Sequence, residues 1–228
     1  MIICHPLRLI FLKCFKVGGT SFEIALSRHC GPRCVITPLL ERDETLRLAL
    51  GYRGAQNHEN PAWYRDGEDL PYGRSRGTFA NHMPAAAVRR AIPPDVWRDY
   101  RVVAIVRNPF EVAVSAYFWE GHHKRGTGFD EVVEQRLANV TPNESIAPVE
   151  GPDAPDIFLR HENLAEDVPA LGVPGLWEDF SRTRAKSGVR AAGATAGALF
   201  SRHPEARKRI AAACAATISR FGYTVPDE

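Results

Sequence analysis

No segment of the chain approaches the roughly 20 apolar residues that a membrane span needs. The first apolar run, residues 9–12, is cut by Lys13 and has no signal-peptide cleavage pattern. Net charge is nearly absent: 29 basic and 27 acidic residues leave +2, too little for the global field that grips DNA or RNA. There is no Cys-x-x-Cys. The five cysteines, Cys4, Cys14, Cys30, Cys34 and Cys214, are odd in number, which points to free thiols in a reducing cytoplasm. Cys30 and Cys34 with His29 resemble a metal cluster, but no second ligand pair has suitable spacing, and no metal is expected. His122 and His123 likewise lack a companion motif. No internal repeat and no Walker A loop is present; that loop places its lysine after the glycines.

What is present is α/β patterning in 228 residues. That length suits one domain, residues 1–228, able to bury roughly 70% of its unfolded surface without disulfides. A strand over 7–14 leads into Lys16-Val17-Gly18-Gly19-Thr20-Ser21, and a helix is predicted over 20–29, stopped by Gly31-Pro32. The glycines permit close backbone approach to a ligand. The first helical turn offers N–H groups to an anion, and Lys16, Thr20 and Ser21 add a charge and two hydroxyls. The pattern reads as a phosphate or sulfate cradle; an ordinary strand-to-helix turn with a surface lysine is the alternative.

The run 102–106, apolar and β-branched, predicts a strand buried on both faces and ending in Arg107. Asn108 suits the cap and Pro109 the first turn of a helix over 109–120. Arg107 then lies at the carboxyl edge of the sheet, where ligands of open α/β folds bind. Ser115, about two turns into the helix, would join it in holding a phosphate. A P-loop kinase more often has a magnesium-binding aspartate at such a strand end.

At these residues the chain resembles the sulfotransferases that use 3′-phosphoadenosine 5′-phosphosulfate (PAPS). Their phosphosulfate loop reads roughly Lys-x-Gly/Ala-Gly-Thr-Ser, and their 3′-phosphate motif roughly Arg-Asn-Pro-x-Asp-Arg-x-x-Ser-x-Tyr. Here the second stands as Arg107-Asn108-Pro109-Phe110-Glu111-Val112-Ala113-Val114-Ser115-Ala116-Tyr117, with Glu111 for aspartate and Val112 for arginine. The two motifs are about 90 residues apart. Asn81-His82-Met83-Pro84-Ala85, Phe158-Leu159-Arg160-His161-Glu162-Asn163-Leu164 and Ile218-Ser219-Arg220-Phe221-Gly222-Tyr223 are also similar to family segments, with His161 in place of a tyrosine. The Golgi-type carbohydrate sulfotransferases share these signatures, and a soluble bacterial branch of that group is the most similar. Golgi relatives carry an N-terminal anchor; here the first strand begins within ten residues of Met1, so no anchor is expected.

The resemblance implies a single-domain, P-loop-like three-layer fold with a mostly parallel central sheet flanked by helices. It implies PAPS as sulfuryl donor, 3′,5′-bisphosphate (PAP) as product, no metal, and a hydroxyl of a carbohydrate or other small acceptor. Lys16 would meet the bridging oxygen and the 17–21 backbone would cradle the phosphosulfate. Arg107 and Ser115 would fix the 3′-phosphate, helped by Lys186, Gly188 and Arg190. His82 is the expected general base, titrating near 6–7, with Glu59 as a fallback. Two further readings compete: an ATP-dependent small-molecule kinase and a catalytically inactive nucleotide-binding module.

Elsewhere helices are predicted over 40–50, 84–91, 129–137, 164–171, 176–181 and 205–221, the last amphipathic with Ile210, Ala213, Cys214 and Ile218 on one face. A short strand is predicted over 157–159, and loops over 51–81, 139–156 and 190–197. The basic cluster 202–209 reads as a solvated face; the other cluster is Arg182, Arg184, Lys186 and Arg190. The long loop 51–81 carries aromatics and is either substrate-facing, with Tyr52, Arg53 and Trp63 as acceptor contacts, or pinned to the core by its rings.

Overall fold

The computed structural model describes residues 1–59, 79–140, 142–183 and 195–226. The strands are β1 (Ile2–Cys4), β2 (Leu9–Leu12), β3 (Val35–Ile36), β4 (Arg101–Val106) and β5 (Ile157–Arg160). The helices are α1 (Gly19–Ser27), α2 (Glu41–Ala49), α3 (Ala85–Ala91), α4 (Pro94–Asp99), α5 (Pro109–Trp119), α6 (Phe129–Val140), α7 (Pro142–Ile146), α8 (Leu164–Asp167), α9 (Leu176–Arg182), α10 (Ala196–Arg202), α11 (Pro204–Ala213) and α12 (Ala215–Phe221). None of the described helices is long and apolar enough to cross a membrane.

The five strands form one sheet in the order β3-β1-β2-β4-β5. β2, β4 and β5 are mutually parallel, with Leu9 opposite Arg101 and Val103 opposite Ile157. β1 runs antiparallel to both β2 and β3. The sheet is therefore mixed, and the expectation of a mostly parallel one is corrected. The reason is local: β1 and β2 form a hairpin closed by the Arg8 N–H on the His5 carbonyl at 3.1 Å, a three-residue strand too short to leave a periodicity. Successive side chains point to opposite faces, and every residue of β1 and β2 and all but the first of β4 is buried. The sheet is covered on both faces.

A second cluster of buried side chains lies among α5, α6, α10 and α11. Phe110 and Phe200 meet edge to face, as do Phe129 and Phe200. The predicted C-terminal face is present: Ile210 and Cys214 are buried there, with Ala213 and Ile218 packed alongside. The helix breaks at Cys214, whose backbone leaves helical angles (φ −115, ψ 26). Residues 202–209 form the exposed face expected, apart from buried Ala206 and partly buried His203.

Three further departures arise from short elements. α7 lies inside the predicted loop 139–156, and α10 begins inside the predicted loop 190–197, its first turn capped by the Thr195 hydroxyl accepting from Ala198 N–H at 3.0 Å. The helix predicted over 164–171 becomes α8 and a 3₁₀ turn at Pro169–Leu171, because Pro169 has no N–H to continue the helix.

The parallel arrangement of β2, β4 and β5 decides where chemistry can occur. Their carboxyl ends lie at one edge of the sheet, so Lys13, Arg107 and His161, each immediately following its strand, emerge together.

Candidate functional site

A cleft of about 850 Å³ opens at that edge. It is lined by Lys13 to Lys16, Gly18 to Ser21, Pro38 to Leu40, Asn81, His82, Arg107, Ser115, Ala116, Trp119, Glu120 and His161. Most of the residues singled out in the sequence meet here: Lys16, Gly18, Gly19, Thr20, Ser21, His82, Arg107 and Ser115. Val17 does not; its side chain is buried in the core, where it anchors the loop.

The loop from β2 to α1 is shaped by its two glycines. Gly18 caps α1 with φ 82, a left-handed conformation that a side chain strains. A Cβ on Gly19 would lie 3.1 Å from Lys13 Cγ, so the helix could not start this close to the strand end. The first turn of α1, with Thr20 and Ser21, thus faces the cleft with N–H groups that precede the first intrahelical hydrogen bond. Lys16 is also left-handed (φ 59), and its ammonium lies 4.3 Å from the Trp119 ring centroid on α5.

Arg107 connects the two motifs. Its Nη1 donates to the Lys16 carbonyl at 3.0 Å and its Nη2 to Glu111 at 3.1 Å. Ser115 lies further along α5 on the wall of the same cleft. Asn108 caps α5, its side chain accepting from Phe110 N–H at 3.1 Å, and Glu162 accepts the Asn108 N–H at 2.8 Å. Glu162 also takes a hydrogen bond from the Tyr223 hydroxyl at 3.0 Å, so the end of β5 and the C-terminal segment together hold Arg107 in place.

His82 lines the same cleft, stacked on Phe15 with 3.7 Å between ring centroids. Its Nδ1 is 2.9 Å from the Lys13 carbonyl. A carbonyl only accepts, so Nδ1 carries the proton and Nε2 the lone pair. Burial, and then the Lys13 charge, lower its pKa to about 4, below the 6–7 expected from sequence. His82 also has a left-handed backbone (φ 61). Among the described residues four non-glycines are left-handed, Arg8, Lys16, Asn57 and His82, and of these Lys16 and His82 line the cleft.

Glu23 and Asn143 shape the cleft without a recognisable sequence signal, and Asn81 and His161 fell within family-like segments without a role assigned to them. Glu23, on α1, is fully buried and accepts from Lys13 Nζ at 2.5 Å and from the Met1 amino group. Burial pushes its carboxyl up, but the Met1 and Lys13 charges outweigh that and hold it below the usual range. Asn81 Oδ1 accepts from Thr37 at 2.9 Å within the same network. Asn143 clips the loop by its backbone: Phe15 N–H donates to its Oδ1 at 2.6 Å and its Nδ2 donates to the Phe15 carbonyl at 3.0 Å. His161 lies beside Gly18, with its pKa lowered to about 4 by burial and then by Arg107.

Of the acceptor residues expected from sequence, Tyr52 and Arg53 do not line the cleft. The Tyr52 hydroxyl donates to Asp179 at 2.8 Å and Arg53 Nε to the Cys30 carbonyl at 2.9 Å; Glu59 does not line the cleft either. Trp63, Lys186, Gly188 and Arg190 lie outside the described residues. Comparison with protein-family models, curated proteins and solved structures finds no match to the chain.

Proposed function

We propose that the chain is a sulfotransferase that moves a sulfuryl group from PAPS to a hydroxyl of a carbohydrate or other small acceptor, on a P-loop-like sulfotransferase fold. The observation that carries this reading is the Arg107–Lys16 contact, which joins a glycine cradle and a strand-end arginine on one cleft. Both features suit a donor with phosphate at two positions. Gly18 supplies a left-handed backbone and Gly19 a position with no space for a Cβ beside Lys13, and both serve the sharp turn that brings the first turn of α1 to the cleft, which suits a bound anion. The five cysteines, all free thiols, favour a reducing cytoplasm.

Sulfuryl transfer asks of a protein mainly positioning and charge stabilisation. Lys16 and the first turn of α1 supply positive charge and N–H donors where negative charge grows on the leaving phosphate. Arg107 and Ser115 bind the 3′-phosphate. His82, neutral above about pH 4, takes the acceptor proton on Nε2. Glu111 competes for the Arg107 guanidinium, so donor binding reorganises that pair.

Calorimetry with adenosine 3′,5′-bisphosphate and with ATP, each with magnesium and with chelator, tests the reading. Tighter, magnesium-independent binding of the bisphosphate is expected. Strict magnesium dependence with ATP preference would replace this reading with the kinase. Bisphosphate binding without transfer of ³⁵S from labelled donor to any of a panel of hydroxylated metabolites would favour the inactive module.

A further inference from the structure

A second group of reactive side chains lies away from the cleft. Cys4 ends β1, Cys30 follows α1 and Cys34 precedes β3. Their sulfurs all lie within 4.8 Å of one another, and all three residues are buried. Residues 30–34 form a tight turn, closed by the Cys34 N–H on the Gly31 carbonyl at 3.1 Å. Gln56 and Asn57 brace this turn: Gln56 Nε2 donates to the Gly31 and Cys34 carbonyls at 2.9 and 2.8 Å, and Asn57 Nδ2 to Cys34 at 2.9 Å. Two backbone N–H groups, of Gly31 and His5, point at Cys34 Sγ at 3.1 and 3.3 Å. A neutral thiol is a weak acceptor; two converging donors suit a sulfur that carries negative charge, as a metal-bound thiolate does.

We propose that Cys4, Cys30 and Cys34 form a three-sulfur site for one soft cation, Cu(I) in preference to Zn²⁺. Thiolates select both ions, but structural zinc takes four ligands. Among the described residues no fourth cysteine, histidine or carboxylate atom joins the set. His5 Nδ1 is engaged with the Tyr100 hydroxyl at 2.7 Å, and His29 approaches Cys4 Sγ through its backbone carbonyl at 3.5 Å. Three sulfurs about 2.3 Å from a central ion lie about 4.0 Å apart, so each needs to move by roughly 0.5 Å or less. Each sulfur that binds releases its thiol proton to solvent, which makes uptake pH-dependent. The outer hydrogen bonds from Gln56 and Asn57 orient the ligand turn in the way that supporting shells do at metal sites.

The test uses the full chain, reduced and under anaerobic conditions. Cu(I) is titrated against a competing Cu(I) chelator, Zn²⁺ against a zinc chelator, and X-ray absorption reads the ligands of the loaded protein. One Cu(I) per chain with three sulfur neighbours is expected, with Zn²⁺ held more weakly. Cys4→Ser, Cys30→Ser and Cys34→Ser should each lower Cu(I) affinity by at least roughly 100-fold, while Cys14→Ser and Cys214→Ser leave it unchanged. Buried substitutions risk unfolding, so the wild-type absorption spectrum decides independently. Nitrogen or oxygen ligands, tighter binding of Zn²⁺, no uptake of Cu(I), or full affinity in a folded Cys34→Ser protein would overturn the site.

Discussion

Arg107 reaches from the end of β4 to the backbone carbonyl of Lys16, 3.0 Å away, while its other terminal nitrogen holds Glu111 at 3.1 Å. One side chain thus braces the loop between β2 and α1 and presents charge to the cleft beside it.

Arg107→Ala should weaken adenosine 3′,5′-bisphosphate more than Ser115→Ala does. A charge-assisted bond is worth roughly 1.5–3 kcal/mol and a neutral one roughly 0.5–1.5 kcal/mol. Glu111→Gln should strengthen binding several-fold, because it removes the carboxylate that competes for the guanidinium. Calorimetry on the three variants reads all of this. Equal, negligible effects of the Arg107 and Ser115 changes would put the 3′-phosphate elsewhere.

His82→Ala should leave bisphosphate affinity nearly unchanged and lower turnover by roughly 10²–10⁴-fold, the scale of general-base catalysis. The acid limb of the wild-type rate should lie near pH 4, since burial and Lys13 depress the imidazole to about 4. A pH–rate profile with an acid limb at 6–7 would contradict this environment for His82. Melting temperature on the same preparations separates loss of chemistry from loss of fold.

Acid should also erode stability through the two depressed histidines. His82 and His161 are lowered to about 4 in the folded protein and titrate near 6.5 when unfolded. The unfolded chain therefore binds more protons between these values, and stability present above pH 6.5 is lost as pH falls toward 4. Urea midpoints at successive pH values should fall across this window. Combined His82→Phe and His161→Phe replacement should flatten the decline.

Glu23→Gln leaves the Lys13 ammonium, 5% exposed, without its carboxylate. Breaking a buried pair from one side costs about 3–5 kcal/mol, on the order of 10 °C in melting temperature for a chain of this size. Because Lys13 carries the carbonyl that orients His82, the variant should also lose turnover per folded molecule. A melting temperature unchanged within a degree or two would mean the Lys13–Glu23 pair contributes nothing.

Gly18→Ala should be costly whatever the space around it, because φ 82 disfavours any side chain. Gly19→Ala tests another constraint: its Cβ would press on Lys13 Cγ at 3.1 Å and disturb the Lys13–Glu23 pair. Both variants should reduce bisphosphate affinity; Gly18→Ala should also cost roughly 1–2 kcal/mol of stability and Gly19→Ala less. Undiminished affinity in both would remove the cradle from the binding site.

The glycine loop before α1, the strand that ends in Arg107 and the helix that carries Ser115 were legible in sequence because each has a local cause. The 102–106 run is buried on both faces and so has no polar interruption. Glycines mark a backbone that side chains cannot follow, and Asn108-Pro109 marks a helix start. The amphipathic face around Ile210 and Cys214 was legible for the same reason, even though the helix carrying it breaks. The helix predicted over 109–120 is present as Pro109–Trp119.

Only the tertiary structure decided the rest, because the deciding contacts join residues far apart in the chain. Asn143 clips the Phe15 backbone, Glu162 holds Asn108, and Glu23 holds Lys13, and none of these pairs has a spacing that a sequence can display. The sheet is mixed because β1, three residues long, turns back on β2; so short a strand carries no period. The antiparallel pairing of β1 with β3 brings Cys4 to Cys30 and Cys34, a third sulfur that the spacing of Cys30 and Cys34 does not reveal. His82 could be chosen by residue type, but its tautomer and its depressed pKa depend on burial and on the Lys13 carbonyl, which exist only in the folded chain.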